Sequence, residues 1–297
     1  MPRQFGPERI WNKTGYRLRI NGWFGRLGNN VLQLCQALWI AEQTKSSLTY
    51  PPYKRSVIKS SAIDFRRKDS CGEEVKDSFF AALSLGNLKE FYTESEKIRI
   101  SRKYVLPLMS FPQLQIKSPE KNFNTTLVIH MRSGDVMKLR PHVRYPQPPL
   151  SCYTKIINEN GPFSHVLIVT ERDLKNPCVK GLQSYCRSNK ISCFIQSSLA
   201  MNDAQTITNA RYFVTSQSSF SWAFIRMNSK IKTVFVPNIR EPKSPILPEE
   251  PNLDHKRIYY GLPGYITIGN WKNNEKQRKL MLGYPANRIV VKTVEAS

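Results

Sequence analysis

The chain has 297 residues, 40% of them apolar, a formal net charge of +23 and a pI near 9.9. Length and apolar share exclude a small disulfide-stapled scaffold and a disordered tail, and allow one large α/β domain or two of moderate size. The charge attracts polyanions, nucleotide phosphates and acidic surfaces, but no zinc-finger, RNP-type or basic-zipper pattern accompanies it.

The first residues, Met1–Trp11, lack the apolar core of a signal peptide, and no run approaches the ~18–20 apolar residues of a membrane span. A soluble, cytoplasmic protein is expected; a Golgi-luminal protein without its anchor is the alternative. The six cysteines, at 35, 71, 152, 178, 186 and 193, form no CxxC and no zinc-type cluster with histidine. Free or buried thiols in a reducing compartment are expected, the alternative being one local bridge among Cys178, Cys186 and Cys193.

Residues 1–16 read as a polar lead-in. Tyr16–Ile20 alternates as a short strand and runs into the Gly-rich stretch Asn21–Asn30. Val31–Thr44 follows with Val31, Leu34, Cys35, Leu38 and Trp39 on one helical stripe. Strand, Gly-rich loop and helix open a nucleotide-binding-like unit. Gly22, Gly25 and Gly28 give GxxGxxG rather than GxGxxG, and no acidic residue ends a second strand about 20 positions on. Dinucleotide binding is therefore disfavoured. The helix start still offers free N–H groups, with Arg26, Gly28 and Asn29 beside it as candidate phosphate or acceptor contacts. The plainer alternative is a tight turn with Asn30 as cap.

Leu48–Tyr50 reads as a strand closed by Pro51-Pro52. Residues 54–77 are charged and poorly periodic. Phe79–Leu85 suggests a short helix or buried segment, and Lys97–Ile100 an edge strand. Pro107–Asn124, with three prolines, reads as the linker between halves.

The second half alternates more clearly. Strands are expected at Thr126–Ile129, His165–Val169, Ser192–Ile195, Tyr212–Thr215 and Thr233–Val236, and helices at Ser151–Asn158, Asn176–Arg187, Asp203–Asn209 and Phe220–Met227. Such alternation implies a parallel sheet. Of the denser basic groups, Arg66–Lys68 and Lys272–Lys279 read as solvated faces, whereas Lys138, Arg140 and Arg144 follow a strand end.

Two strand ends carry the chemistry. Thr126–Asp135, TLVIHMRSGD, puts His130, Arg132, Gly134 and Asp135 at the C-terminal lip of a β-branched run, where open α/β sheets bind ligands. An arginine there can hold phosphate through its planar fork of donors. Tyr212–Ala223, YFVTSQSSFSWA, leads from a strand into hydroxyls at a helix start, an anion cradle formed by Ser218 and Ser219 with Phe220 beside them. Plain capping by Ser218 or Ser219 is the competing account. On adjacent strands, the two lips could face one phosphate.

These blocks carry a resemblance. HMRSGD resembles the HxRxGD motif of the fucosyltransferase superfamily. FVTSQSSFSWAF resembles the SSFSWW block of the α-1,2-fucosyltransferase-like enzymes (glycosyltransferase family eleven), and NGWFGRLGNNVLQLCQALWIA resembles their opening GRLGNQ…Q segment. The three occur in matching order. The resemblance implies an α/β, GT-B-like fold: two Rossmann-like domains facing across a cleft, residues 1–122 on the acceptor side and 123–297 holding the nucleotide sugar. It gives Arg132 to the diphosphate, His130 to the nucleoside, Asp203 to guanine, and Ser218 and Ser219 to phosphate. The chain departs from the pattern at Ser133, where many relatives have a second arginine, and in SWAF.

The resemblance implies an inverting transfer of a sugar, by default fucose from GDP-fucose, onto a glycan hydroxyl. The chain has no DxD, and its histidines have no metal spacing, so no metal or cofactor is expected. Arg132 and the Ser218/Ser219 cradle are the expected stabilisers of the leaving group. Asp135 is the nearest carboxylate for a general base, although a Gly-Asp turn carboxylate more often ties down its own loop; Glu42 and Asp64 are further candidates. The expected partners are a nucleotide sugar, GDP-linked before UDP-linked, and a glycan acceptor, with no nucleic acid. The alternatives are another donor such as UDP-xylose and, from a different class, a non-enzymatic polyanion- or nucleic-acid-binding protein.

Overall fold

A computed structural model describes residues 14–53, 57–59, 62–66, 74–77, 88, 90–112, 123–239 and 253–296. The chain divides into two compact units, Met1–Pro112 and Gln113–Ser297, a division inside the proline-bearing stretch Pro107–Asn124. Each unit is α/β with its own sheet of mainly parallel strands, which is what a GT-B-like fold requires of a chain. The expected segment Phe79–Leu85 lies outside the described residues, as does Cys71.

In the first unit, β1 (Arg17–Ile20) alternates exposed Arg17 and Arg19 with buried Leu18 and Ile20, as a strand with one buried face must. It pairs in parallel with β2 (Ser47–Thr49) and with β4 (Glu74–Asp77), while β3 (Ala62–Asp64) runs antiparallel to β2. Helix α1 (Leu27–Gln43) lies between β1 and β2 and buries Val31, Leu34, Leu38 and Trp39. Each fully buried side chain of this size contributes about 1.5–3 kcal/mol.

The expected edge strand Lys97–Ile100 is instead the end of helix α2 (Glu94–Ile100). Thr93 caps it, accepting from the Glu96 N–H at 3.3 Å, and Thr93-x-x-Glu96 is a capping-box spacing. Ile98 and Ile100 are both buried, so their two-residue spacing imitated a strand. Glu42 is clamped in the same place. It accepts from Arg99 and, at 2.6 Å, from the Tyr104 hydroxyl. Burial raises its carboxyl, but the bonds from Arg99 and Tyr104 outweigh that and hold it below the usual carboxylate value. Asp64 pairs with Arg66 at 2.6 Å and is held down at about 2, chiefly by that bond. Both carboxylates are thus committed to neighbouring cations.

The second unit holds a seven-stranded sheet in the order β11-β10-β9-β8-β5-β6-β7. Its strands are β5 (Thr126–Met131), β6 (His165–Thr170), β7 (Ser192–Gln196), β8 (Tyr212–Val214), β9 (Thr233–Asn238), β10 (Lys256–Gly261) and β11 (Val290–Val294). All pairs are parallel except β10 with β11. Strand β5 is buried along its whole length, as a central strand covered on both faces must be. Helices α3 (Leu150–Asn160), α4 (Pro177–Ser188), α5 (Ala200–Asn209), α6 (Ser219–Ile225) and α7 (Glu275–Gly283) complete the unit. Cys152, Cys178 and Cys186 are buried, and with Cys35 and Cys193 they are free thiols. Among the described residues, no helix is long and apolar enough to cross a membrane.

Candidate active site

The parallel pairing of β5 with β8 aligns Ile129 with Val214. Both strands therefore end at the same edge of the sheet, and the two polar segments seen in the sequence meet there. Arg132 is 5% exposed. Its Nη2 donates to both oxygens of Asp135, at 2.9 and 3.2 Å, and its Nη1 donates to the Gln217 carbonyl beyond β8 at 3.3 Å. The guanidinium carbon lies 4.5 Å from the centre of the Tyr145 ring, within cation–π range. One cation thus ties together the β5 tip, the β8 tip and the loop before α3.

The backbone under Arg132 is fixed as firmly. Asn176, fully buried, caps α4 by accepting from the Cys178 N–H at 3.0 Å, and its Nδ2 donates to the Arg132 carbonyl at 2.9 Å. Its own N–H donates to the Ser133 hydroxyl at 3.1 Å. Ser133 N–H donates to Glu171 at 2.6 Å, and Gly134 N–H to Asp173 at 3.0 Å. Ser133 is thus a fully buried hydroxyl held against the cap residue of α4. Gly134 has φ +52°, and a Cβ there would meet only ordinary contacts at 3.5 Å from Glu171. Backbone conformation, not space, favours glycine.

His130 is buried on β5. Its Nδ1 lies 2.6 Å from the Ser221 hydroxyl and 2.9 Å from that of Ser216, and its ring is 5.5 Å from that of Phe220. The imidazole therefore holds the first turn of α6 against the strand. Ser218 caps α6, accepting from the Phe220 N–H at 3.2 Å, so the plainer account of that hydroxyl holds. Ser219 is the first residue of the helix. Asp135, taken as a base candidate, is engaged with Arg132, so orienting the guanidinium is its first task.

Asp203 lies in the first turn of α5. Its Oδ1 accepts from Gln196 Nε2 and from the Ser198 hydroxyl, both at 2.8 Å. Gln196 is itself oriented by Thr206, whose hydroxyl donates to it at 3.0 Å. Burial pushes the Asp203 carboxyl up and nearby Glu171 adds to this, against the two hydrogen bonds and Arg172.

Arg26, Gly28 and Asn29 belong to the first unit. Arg26 is the cap residue of α1, and its side chain makes no capping bond. Gly25 has φ +72°, which favours glycine, and a Cβ there would lie 2.4 Å from Asn29 Nδ2, so the Asn29 amide would have to move. Gln33 straps the loop, donating to the Gly22 carbonyl at 3.1 Å and accepting from the Phe24 N–H at 3.2 Å. Asn30 does not cap the helix. It lies inside the first turn, its N–H donating to the Arg26 carbonyl at 3.2 Å, with its amide group buried and unpaired.

The sequence did not mark Tyr145, Asn176, Glu171 or Gln217. Only Asn176-Pro177 had a readable signal, a cap residue followed by proline at the first helical position. Among the described residues, no cluster of histidine, cysteine, aspartate or glutamate could hold a metal ion. No protein-family description and no curated protein sequence matches the chain. A solved structure of POFUT1 in complex with GDP aligns with a TM-score of 0.41 and 10% identity, covering 76% of this chain and 98% of that one. A likeness of that degree says nothing about activity.

Proposed function

We propose that the chain is a metal-independent, inverting glycosyltransferase that moves a sugar, by default fucose from GDP-fucose, onto a glycan hydroxyl. The observation that carries the reading is the buried Arg132 guanidinium at the tip of the central strand, bonded to Asp135 and to Gln217 beyond β8 and stacked on Tyr145. The three ordered sequence blocks support it.

Breaking the bond between anomeric carbon and diphosphate oxygen moves negative charge onto the diphosphate. A guanidinium already oriented where that charge develops needs no reorganisation as it forms. Arg132 takes this role, with Asp135 and Tyr145 holding its plane. The hydroxyl of Ser219 and the N–H groups at the start of α6 are the supporting donors, and His130 positions that turn through Ser216 and Ser221. Asp203 is the base-reading group. A carboxylate oxygen there accepts from guanine N1–H and N2–H₂, whereas uracil offers one N–H and no exocyclic amine. Arg26, Gly28 and Asn29 of the first unit are assigned to the acceptor or phosphate side.

Thermal shift with GDP and UDP, each with and without chelator, tests the reading. Selective stabilisation by GDP that chelation leaves unchanged is expected, about 2.7 kcal/mol at a hundredfold excess over Kd. A selective response to UDP would move the donor to a UDP-sugar. Indifference to both nucleotides would end the transferase reading.

A further inference from the structure

Two groups of cations distant in sequence meet in the second unit. After Asp135, which is paired with Arg132, residues 136–149 of the loop following β5 carry Lys138, Arg140, His142 and Arg144 and no acid. The start of α7 carries Lys272, Lys276, Arg278 and Lys279 with one acid, Glu275, which pairs with Lys279 at 2.8 Å. The intervening backbone is bonded together. Gly269 and Trp271 N–H groups both donate to the Val143 carbonyl, at 3.0 and 3.3 Å. Trp271 Nε1 donates to the Val136 carbonyl at 2.7 Å, and Asn273 Nδ2 to the Lys138 carbonyl at 3.0 Å. Asn273 Oδ1 in turn accepts from Arg278 Nε at 2.9 Å.

The loop backbone is therefore fixed while its side chains face water: Lys138, Arg140 and Arg144 are exposed, and Leu139 is 93% exposed. Among the described residues, no ion pair reaches Lys138, Arg140, Lys272 or Arg278. Holding like charges side by side costs self-repulsion, and none of these side chains is needed by the core. The same loop ends at Tyr145, under Arg132, so the surface is continuous with the candidate site.

The chemistry of the partner follows from what accompanies the charge. Proteins that hold single-stranded nucleic acid by its bases supply open aromatic faces. Here the Tyr145 ring is engaged by Arg132 and lies 5.2 Å from His142, and Trp271 is fully buried. The exposed apolar groups are aliphatic, Leu139 and Val143. We infer that this surface binds an acidic glycan, one bearing carboxylate or sulfate groups, and that this glycan is the acceptor chain. The acceptor role rests on the transferase reading, whereas the binding does not.

The test titrates the full chain with a heparin-derived hexasaccharide over a salt series, beside a neutral glucose hexasaccharide and a single-stranded oligonucleotide of equal charge. Salt-dependent binding of the acidic sugar alone is expected. The triple variant Lys138→Gln, Arg140→Gln, Lys272→Gln should weaken it at least about tenfold and lower the salt slope by about 2. A control triple, Arg187→Gln, Lys190→Asn, Lys232→Gln, removes equal charge beside the N-terminal ends of β7 and β9 and should change affinity less than about twofold. Equal loss in both triples, or tighter binding of the oligonucleotide, would overturn the proposal. Thermal shift with GDP and UDP on the same proteins separates the two readings. Loss of sugar binding with the GDP response kept supports the surface. Absent sugar binding in a nucleotide-responsive wild type removes the surface alone, and patch-dependent sugar binding without a response to GDP or UDP removes the transferase reading alone.

Discussion

The guanidinium of Arg132 lies 4.5 Å over the ring of Tyr145 while both oxygens of Asp135 accept from its Nη2. Asp135 pairs with the cation in its plane and Tyr145 covers its face, so the two contacts can be removed separately. Arg132→Ala is expected to lower turnover by about 10²–10³, the usual cost of removing a preorganised donor. Arg132→Lys keeps the charge without the fork and should fall between. Tyr145→Ala should weaken GDP binding, and Tyr145→Phe should retain it, in calorimetric titrations of all four variants.

Asp203 separates stability from recognition. Burial raises its carboxyl above 3.8 in the fold, so its ionised form opposes folding at neutral pH. That cost fades as pH falls through the raised value and is gone below the unfolded one. Asp203→Asn should therefore be at least as stable as the wild type at pH 7, with the difference closing in acid. The same variant should lose its preference for GDP over UDP. Urea unfolding at several pH values, paired with nucleotide titration, checks both halves.

Glu42 has the opposite sign. Its carboxyl is held below 4.5 by Arg99 and Tyr104 against its burial. The stability it adds is present above about pH 4.5 and is lost as pH falls through the depressed value. Glu42→Gln should destabilise the chain at pH 7, and the gap should narrow steadily in acid. No destabilisation at pH 7 would mean that the ion pair adds nothing.

Gly134 has a left-handed backbone with room for a side chain. Gly134→Ala should cost about 1–2 kcal/mol in urea unfolding, and Gly134→Asn less, because asparagine visits that conformation more readily. Equal effects would place the constraint in packing rather than in φ.

The β-branched runs at Thr126 and His165 announced buried central strands, and the polar residues after β5 and β8 announced the lip. Beyond residue 236 the pattern faded for physical reasons. Strand β10 contains the buried Arg257, whose Nε bonds to His255 at 3.1 Å, and a charged residue reads as surface. Strand β11 is an edge with Val290 and Val291 exposed, so it shows no alternation. Helix α7 buries only Met281, too little for a stripe. At the site, Arg132 stood out because its type and place had one obvious use. Tyr145, Gln217 and Asn176 act through contacts across 13 to 85 positions, and local sequence does not encode such distances.

The bond from Trp271 to the Val136 carbonyl sets an order of events during translation. Arg132 leaves the ribosome long before the indole that anchors the loop beside it. Until roughly half of the chain has followed, the most charged stretch of that sheet edge is without its clasp, so a nascent or prematurely halted polypeptide has the arginine but not its finished surroundings.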